Sequence, residues 1–126
     1  IKNYTKSIEY DDKDEYAFFY RGNAKFKIGD YKGSLEDYSK SLEINNKSYV
    51  ALNNKGVSNF KLKNYRGAIE DFNKSLNINQ NNYSTFYNKS LTYFELKEIK
   101  KACINLKKSI KLGKEVFEEE YLKICP

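Results

Sequence analysis

Apolar residues recur three and four positions apart in successive blocks, and short polar stretches separate the blocks. That spacing predicts amphipathic helices throughout, with no alternating strand pattern and no glycine-rich phosphate loop. First helices are expected over 15–28, 49–62 and 83–96, and second helices over 31–44, 65–78 and 99–112. A partial helix over 1–10 precedes them, and a closing helix over 115–124 follows. Gly29-Asp30, Lys63-Asn64 and Lys97-Glu98 make the tight turns within each pair, while Asn45-Asn46, Asn79-Gln80-Asn81-Asn82 and Gly113 separate one pair from the next.

The pairs are copies of one another at a period of 34 residues. Tyr20-Arg21-Gly22-Asn23-Ala24 returns as Asn54-Lys55-Gly56-Val57-Ser58 and as Asn88-Lys89-Ser90-Leu91-Thr92. Tyr31-Lys32-Gly33-Ser34-Leu35-Glu36-Asp37-Tyr38 returns as Tyr65-Arg66-Gly67-Ala68-Ile69-Glu70-Asp71-Phe72, then decays to Ile99-Lys100-Lys101-Ala102-Cys103-Ile104-Asn105-Leu106. The motif Ser39-Lys40-Ser41-Leu42-Glu43-Ile44 also occurs as Thr5-Lys6-Ser7-Ile8-Glu9-Tyr10, so the chain opens inside a second helix. Two helices approach closely only where one contributes little volume. Gly22, Gly56 and Ser90 supply that on the first helices; Ser34, Ala68, Ala102, Ser41, Ser75 and Ser109 supply it on the second. A leucine at Gly22 is expected to unfold the first hairpin.

These residues resemble the tetratricopeptide repeat: a bulky residue (Phe18, Leu52, Phe86), a small one four later, then aromatic and small positions along the second helix. The likeness runs from Ile1 to about Lys114, with two departures. Asn46, Gln80 and Lys114 stand where the family often has proline, and the third copy lacks both the glycine and the aromatic turn residue. The resemblance implies an all-α, right-handed superhelical solenoid of antiparallel hairpins with a C-terminal capping helix. One domain over 1–126 is expected: a partial repeat (1–14), repeats over 15–48 and 49–82, a degenerate repeat over 83–114, and a cap over 115–126. First helices would line a concave groove that holds a peptide or protein segment.

By helical spacing the groove stripe contains Tyr16, Phe19, Tyr20, Asn23 and Lys27, then Val50, Asn53, Asn54, Val57 and Lys61, then Ser84, Tyr87, Asn88, Leu91 and Glu95, an aromatic and amide surface on which Phe19, Tyr20, Asn23, Asn53, Asn54, Tyr87 and Asn88 are the expected contact residues. Amides both donate and accept, so a row of them can pair with an extended backbone without reading its sequence. Phe26, Phe60 and Phe94 are expected at the inner edge, packing between hairpins. One subset of the family clamps the acidic C-terminus of chaperones with cations. Those places hold Phe19, Asn23, Asn54, Ser84 and Asn88, so a chaperone tail is not the expected ligand.

The chain has no His, which removes the commonest general acid/base and metal ligand, and only scattered carboxylates remain for chemistry. Neither an enzyme nor a metal or cofactor site is expected. Cys103 and Cys125 form no ligand spacing and no C-x-x-C pair. They are expected as free thiols in a reducing, cytoplasmic setting, Cys103 packed in its hairpin and Cys125 near a fraying end. No apolar run is long enough to cross a bilayer. The net charge of +6 gathers in the later hairpins, with Lys100, Lys101, Lys107, Lys108 and Lys111 on one outer helix. RNA binding is therefore the alternative to a protein partner, opposed by Glu95 and Glu118-Glu119-Glu120. At the ends, Ile1, Tyr4 and Ile8 form an open apolar edge calling for preceding repeats or a second copy, and Phe117, Tyr121 and Ile124 are expected to cap the third hairpin.

Overall fold

The computed structural model describes residues 14–126, which form seven helices and no strand. In chain order they are α1 (Glu15–Lys27), α2 (Tyr31–Ile44), α3 (Tyr49–Lys61), α4 (Tyr65–Ile78), α5 (Tyr83–Glu95), α6 (Ile99–Lys111) and α7 (Glu118–Ile124). Helices α1/α2, α3/α4 and α5/α6 pack as three hairpins stacked in order, an all-α solenoid, and α7 closes the third. The expected helix over 1–10 and the edge at Ile1, Tyr4 and Ile8 lie outside the described residues.

Helix boundaries follow from local chemistry. Asp14, Ser48 and Asn82 cap α1, α3 and α5, their side chains accepting from the free N–H groups of the first turn. The turn within each hairpin is a Schellman motif. The N–H of Gly29 bonds the carbonyl of Phe26 at 3.0 Å and that of Asp30 the carbonyl of Lys25 at 2.9 Å. The same pair of bonds recurs at Lys63/Asn64 and Lys97/Glu98. Such a motif needs a left-handed residue, which is Gly29 (φ 83°) in the first hairpin but Lys63 (φ 63°) and Lys97 (φ 62°) in the others.

The small positions do the packing work expected of them. Tyr38 and Phe72, 1% and 0% exposed, lie against Gly22 and Gly56. A Cβ on Gly56 would sit 2.5 Å from the Phe72 ring. Ser41, Ser75 and Ser109 each donate to the carbonyl of the first residue of the facing helix, Glu15, Tyr49 and Tyr83, at 2.8–2.9 Å. Ser34 and Ser58 share a buried bond of 2.8 Å that joins the first hairpin to the second.

Two expectations at the C-terminus are corrected. Cys103 and Cys125 are bonded to each other as a disulfide, not free: α7 folds back so that the two Cα atoms stand 5.0 Å apart across 22 residues. Phe117 is not part of the covering face. Helix α7 begins at Glu118, three residues later than expected, which leaves Phe117 in extended conformation before it and 84% exposed. The cover consists of Ile124 and Cys125 on Ala102 and Leu106, flanked by Val116 and Tyr121.

Candidate functional site

Four of the seven expected groove residues are joined by amide bonds across the hairpin boundaries. Asn54 Nδ2 donates to Asn23 Oδ1 at 3.3 Å, and Tyr38 donates its hydroxyl to that same oxygen. One repeat on, Asn88 Nδ2 donates to Asn53 Oδ1 at 3.2 Å, joined there by Thr85 Oγ1 at 2.9 Å. The amide row is thus partly spent on holding neighbouring first helices in register. Phe19 packs on Tyr20 and Tyr38, with ring centroids 5.5 and 5.9 Å apart.

Beside the first of these bonds opens a pocket of about 500 Å3 lined by Tyr20, Asn23, Ala24, Phe26, Lys27, Tyr38, Asn54 and Val57. Its walls are mixed: phenol, amide and ammonium groups over an apolar floor. A smaller pocket of about 150 Å3 uses the equivalent positions one repeat later, among them Val57, Phe60, Lys61, Phe72, Asn88 and Leu91. The stack therefore presents related cavities at intervals along the face formed by α1, α3 and α5. Where the first pocket has Asn23 and Tyr38 the second has Val57 and Phe72, so the first is the more polar in its walls, and it is also the roomier.

Phe26 and Phe60 meet the turn aromatics Tyr31 and Tyr65 edge-on, at 5.1 and 5.5 Å, within their own hairpins instead of between hairpins, and each also lines one of the two pockets. At the far end of the face, the cap segment reaches Tyr87. Its hydroxyl donates to Glu120, and Lys114 lies over its ring at 4.6 Å. Burial first, then the Glu120 carboxylate, pushes the Tyr87 phenol up to about 12; burial does the same for Tyr38, against the opposing contact of Asn54. Sequence reasoning missed Tyr38, which belongs to the pocket, because it assigned the face to first helices and Tyr38 arrives from α2; Val57, also in the lining, stands on the stripe that helical spacing gave.

Buried ion pairs sit behind this face. Arg21 holds Asp37 in a two-pronged contact at 2.7 and 2.8 Å, with Lys25 at 3.1 Å. Lys55 approaches Asp71 at 3.7 Å while Asn59 donates to it at 2.8 Å. Among the described residues no group of three or more His, Cys, Asp or Glu side chains could hold a metal ion, and no helix is long and apolar enough to cross a membrane.

The sequence profile of the tetratricopeptide repeat matches residues 49–82, and a second profile of that repeat matches 83–113. No curated protein matches the chain. Many solved structures share its fold. The crystal structure of MamA superposes with a TM-score of 0.85 at 22% identity, covering 87% of this chain, which spans 64% of MamA. The first repeat domain of Spaghetti (RPAP3), bound to the HSP90 peptide SRMEEVD, gives 0.84 at 23% identity, covering 91% of this chain and 93% of that one. YrrB, described as having an unusual peptide-binding site, gives 0.78 at 24% identity over 87% of this chain and 57% of its own.

Proposed function

The chain belongs to the tetratricopeptide repeat family, and from that premise we propose that it is a non-catalytic scaffold holding an extended peptide or protein segment along the face of α1, α3 and α5. The contact residues in this reading are Phe19, Tyr20, Asn23, Asn53, Asn54, Tyr87 and Asn88, together with Tyr38 and Val57. The observation that carries it is the open pocket at Tyr20, Asn23, Tyr38 and Val57 and its smaller counterpart one repeat on. An extended chain laid across such cavities can place side chains in them while its backbone meets amides that donate and accept. The mixed lining, with a single lysine in each pocket, Lys27 and Lys61, favours an apolar or neutral segment over an acidic chaperone tail. With this reading goes the division expected from the sequence: repeats over 15–48 and 49–82, a degenerate repeat over 83–114 and a cap over 115–126, the partial repeat expected over 1–14 falling, but for Asp14, outside the described residues.

The compartment goes with the cysteines. A reducing cytoplasm is what their spacing favours, whereas the Cys103–Cys125 bond favours an oxidising setting. Non-reducing electrophoresis of the protein taken from its own cells, with free thiols blocked at lysis, decides between them.

The groove is tested by capture from lysate, comparing the natural chain with a Tyr20→Ala, Val57→Gln variant after circular dichroism shows that both fold. Selective loss of a protein from the variant supports the groove. Capture that survives the variant but disappears with nuclease would put RNA, on the lysines of α6, in its place.

A further inference from the structure

The charge pairs behind the groove repeat with the hairpins, and the third copy is incomplete. In the first hairpin Arg21 and Lys25 meet Asp37; in the second Lys55 meets Asp71. Both carboxylates are almost fully buried, 2% and 4% exposed. Moving on by one period, the cation is kept as Lys89 but the carboxylate becomes Asn105. Asn105 is equally buried and neutral, and its amide donates to the carbonyl of Lys101 at 2.8 Å. The position of Lys25 and Asn59 becomes Tyr93, and Lys89 lies with its Nζ 5.9 Å from that ring. Lys108 stands next to it over Phe86, at 5.6 Å.

Neither Lys89 nor Lys108 has an acidic partner among the described residues, whereas Lys101 is paired with Glu98 and Lys74 with Glu70. Lys89 is half-buried, and burial, then Lys108, lowers the pKa of its ammonium below the usual lysine range. A partly desolvated cation without a counter-charge is an unfavourable arrangement that an incoming anion relieves. Lys89 is also reached from outside. It lines a cleft of about 490 Å3 between α4 and α5 with Asn73, Leu76, Asn77, Gln80 and Phe86, and that cleft shares no residue with either groove pocket.

We propose that this cleft is a second binding site, in which Lys89, with Lys108 beside it over the Phe86 wall, receives one carboxylate side chain of an acidic peptide segment, standing in for the carboxylate that Asp37 and Asp71 provide in the other hairpins. The amides of Asn73, Asn77 and Gln80 fit a peptide backbone, because they offer acceptors as well as donors; a phosphate strand could use only the donors. Leu76 and Phe86 give an apolar wall for a neighbouring side chain. The carboxylates of Glu70 and Glu98, each engaged with a basic side chain nearby, interrupt the field that a polyanion would need.

The test uses two immobilised mixtures of capped pentapeptides, one with glutamate and one with glutamine at the centre, the flanking positions being randomised without Asp or Glu. The natural chain should bind the glutamate mixture at least tenfold more tightly. Asn105→Asp, which restores an internal counter-charge, should abolish that preference while keeping the fold, and Lys89→Gln should do the same by removing the cation. Equal binding of both mixtures by the natural chain overturns the proposal, as does a preference that Asn105→Asp leaves intact. A uridine decamer is run alongside. If it binds more tightly than the glutamate mixture and is weakened by both substitutions, the site is one for phosphate and the peptide reading fails. Because cleft and groove share no residue, either outcome leaves the groove reading to stand or fall on its own experiment.

Discussion

Replacing Gly56 by serine tests whether the 34-residue pattern encodes a physical contact or only a habit of sequence. A Cβ at that position would lie 2.5, 2.7 and 3.0 Å from three atoms of the Phe72 ring, which is wholly buried. The ring has no free space to enter, so overpacking should cost about 1–3 kcal/mol. Better helix propensity returns roughly 0.5 kcal/mol of that. Phe72→Leu alone removes ring volume from a filled core and should cost about 2 kcal/mol. The third hairpin already carries this combination: Ser90 faces Leu106, both are 0% exposed, and Ser90 Oγ donates to the carbonyl of Ala102 at 2.7 Å. The double variant Gly56→Ser, Phe72→Leu should therefore be no less stable than the worse single one, a coupling of about 2 kcal/mol. Urea titrations followed by circular dichroism on all four proteins measure it. Losses that simply add, within about 0.5 kcal/mol, would show that the glycine is not there to admit the ring.

Further expectations follow from other places in the stack. Lys63 holds a left-handed conformation (φ 63°) where Gly29 stands in the first hairpin, so Lys63→Gly should raise stability by about 0.5–1 kcal/mol; an unchanged or lower melting temperature would contradict this. Reducing the Cys103–Cys125 bond opens a loop of 22 residues and should cost about 3 kcal/mol, with the amides of α7 exchanging freely, since seven residues do not hold a helix alone. Protection of those amides that survives reduction would mean that packing alone secures the cap. Tyr38 and Tyr87 are raised from 10.0 to about 12 in the folded chain. Their contribution is fully present below pH 10 and is lost as pH rises through 12, because the unfolded chain releases those protons first. Stability measured across that window should fall, and should fall less in Tyr38→Phe.

Much of the architecture could be read in advance because the hairpin is built from local rules repeated at fixed spacing. Helices α1 to α6 begin at the residues where the pattern places them, each behind a polar cap or turn residue. The errors collect where a residue's partner is far off in sequence or outside the repeat. Cys103 and Cys125 lie in different elements, and no period relates them. Phe117 has the spacing of a capping face, yet the helix starts one residue after it, and spacing alone cannot show where a short unpaired helix begins. In the groove the pattern identified the amides, but not that Asn54 and Asn88 turn toward Asn23 and Asn53. An amide on an exposed stripe reads the same whether it bonds its neighbour or waits for a ligand.

The third repeat, which reads as decay, follows a consistent logic in three dimensions. Loss of the glycine accompanies loss of the facing ring, Ser90 with Leu106, and both remain fully buried in that hairpin. Loss of the buried carboxylate at Asn105 comes with a ring at Tyr93, which takes up two of the ammonium groups that a carboxylate would otherwise attract. Loss of the aromatic turn residue at Ile99 leaves Phe94 without the edge contact that Phe26 and Phe60 enjoy, and Lys123 of the cap lies over its ring instead, at 5.6 Å. Each departure from the period is matched by a change in what the residue touches. Selection on packing explains the first and third of these. The second leaves Lys89 half-buried without a counter-charge, and packing gives no reason to keep a cation there, which is why the cleft between α4 and α5 is the place to look for a partner that supplies one.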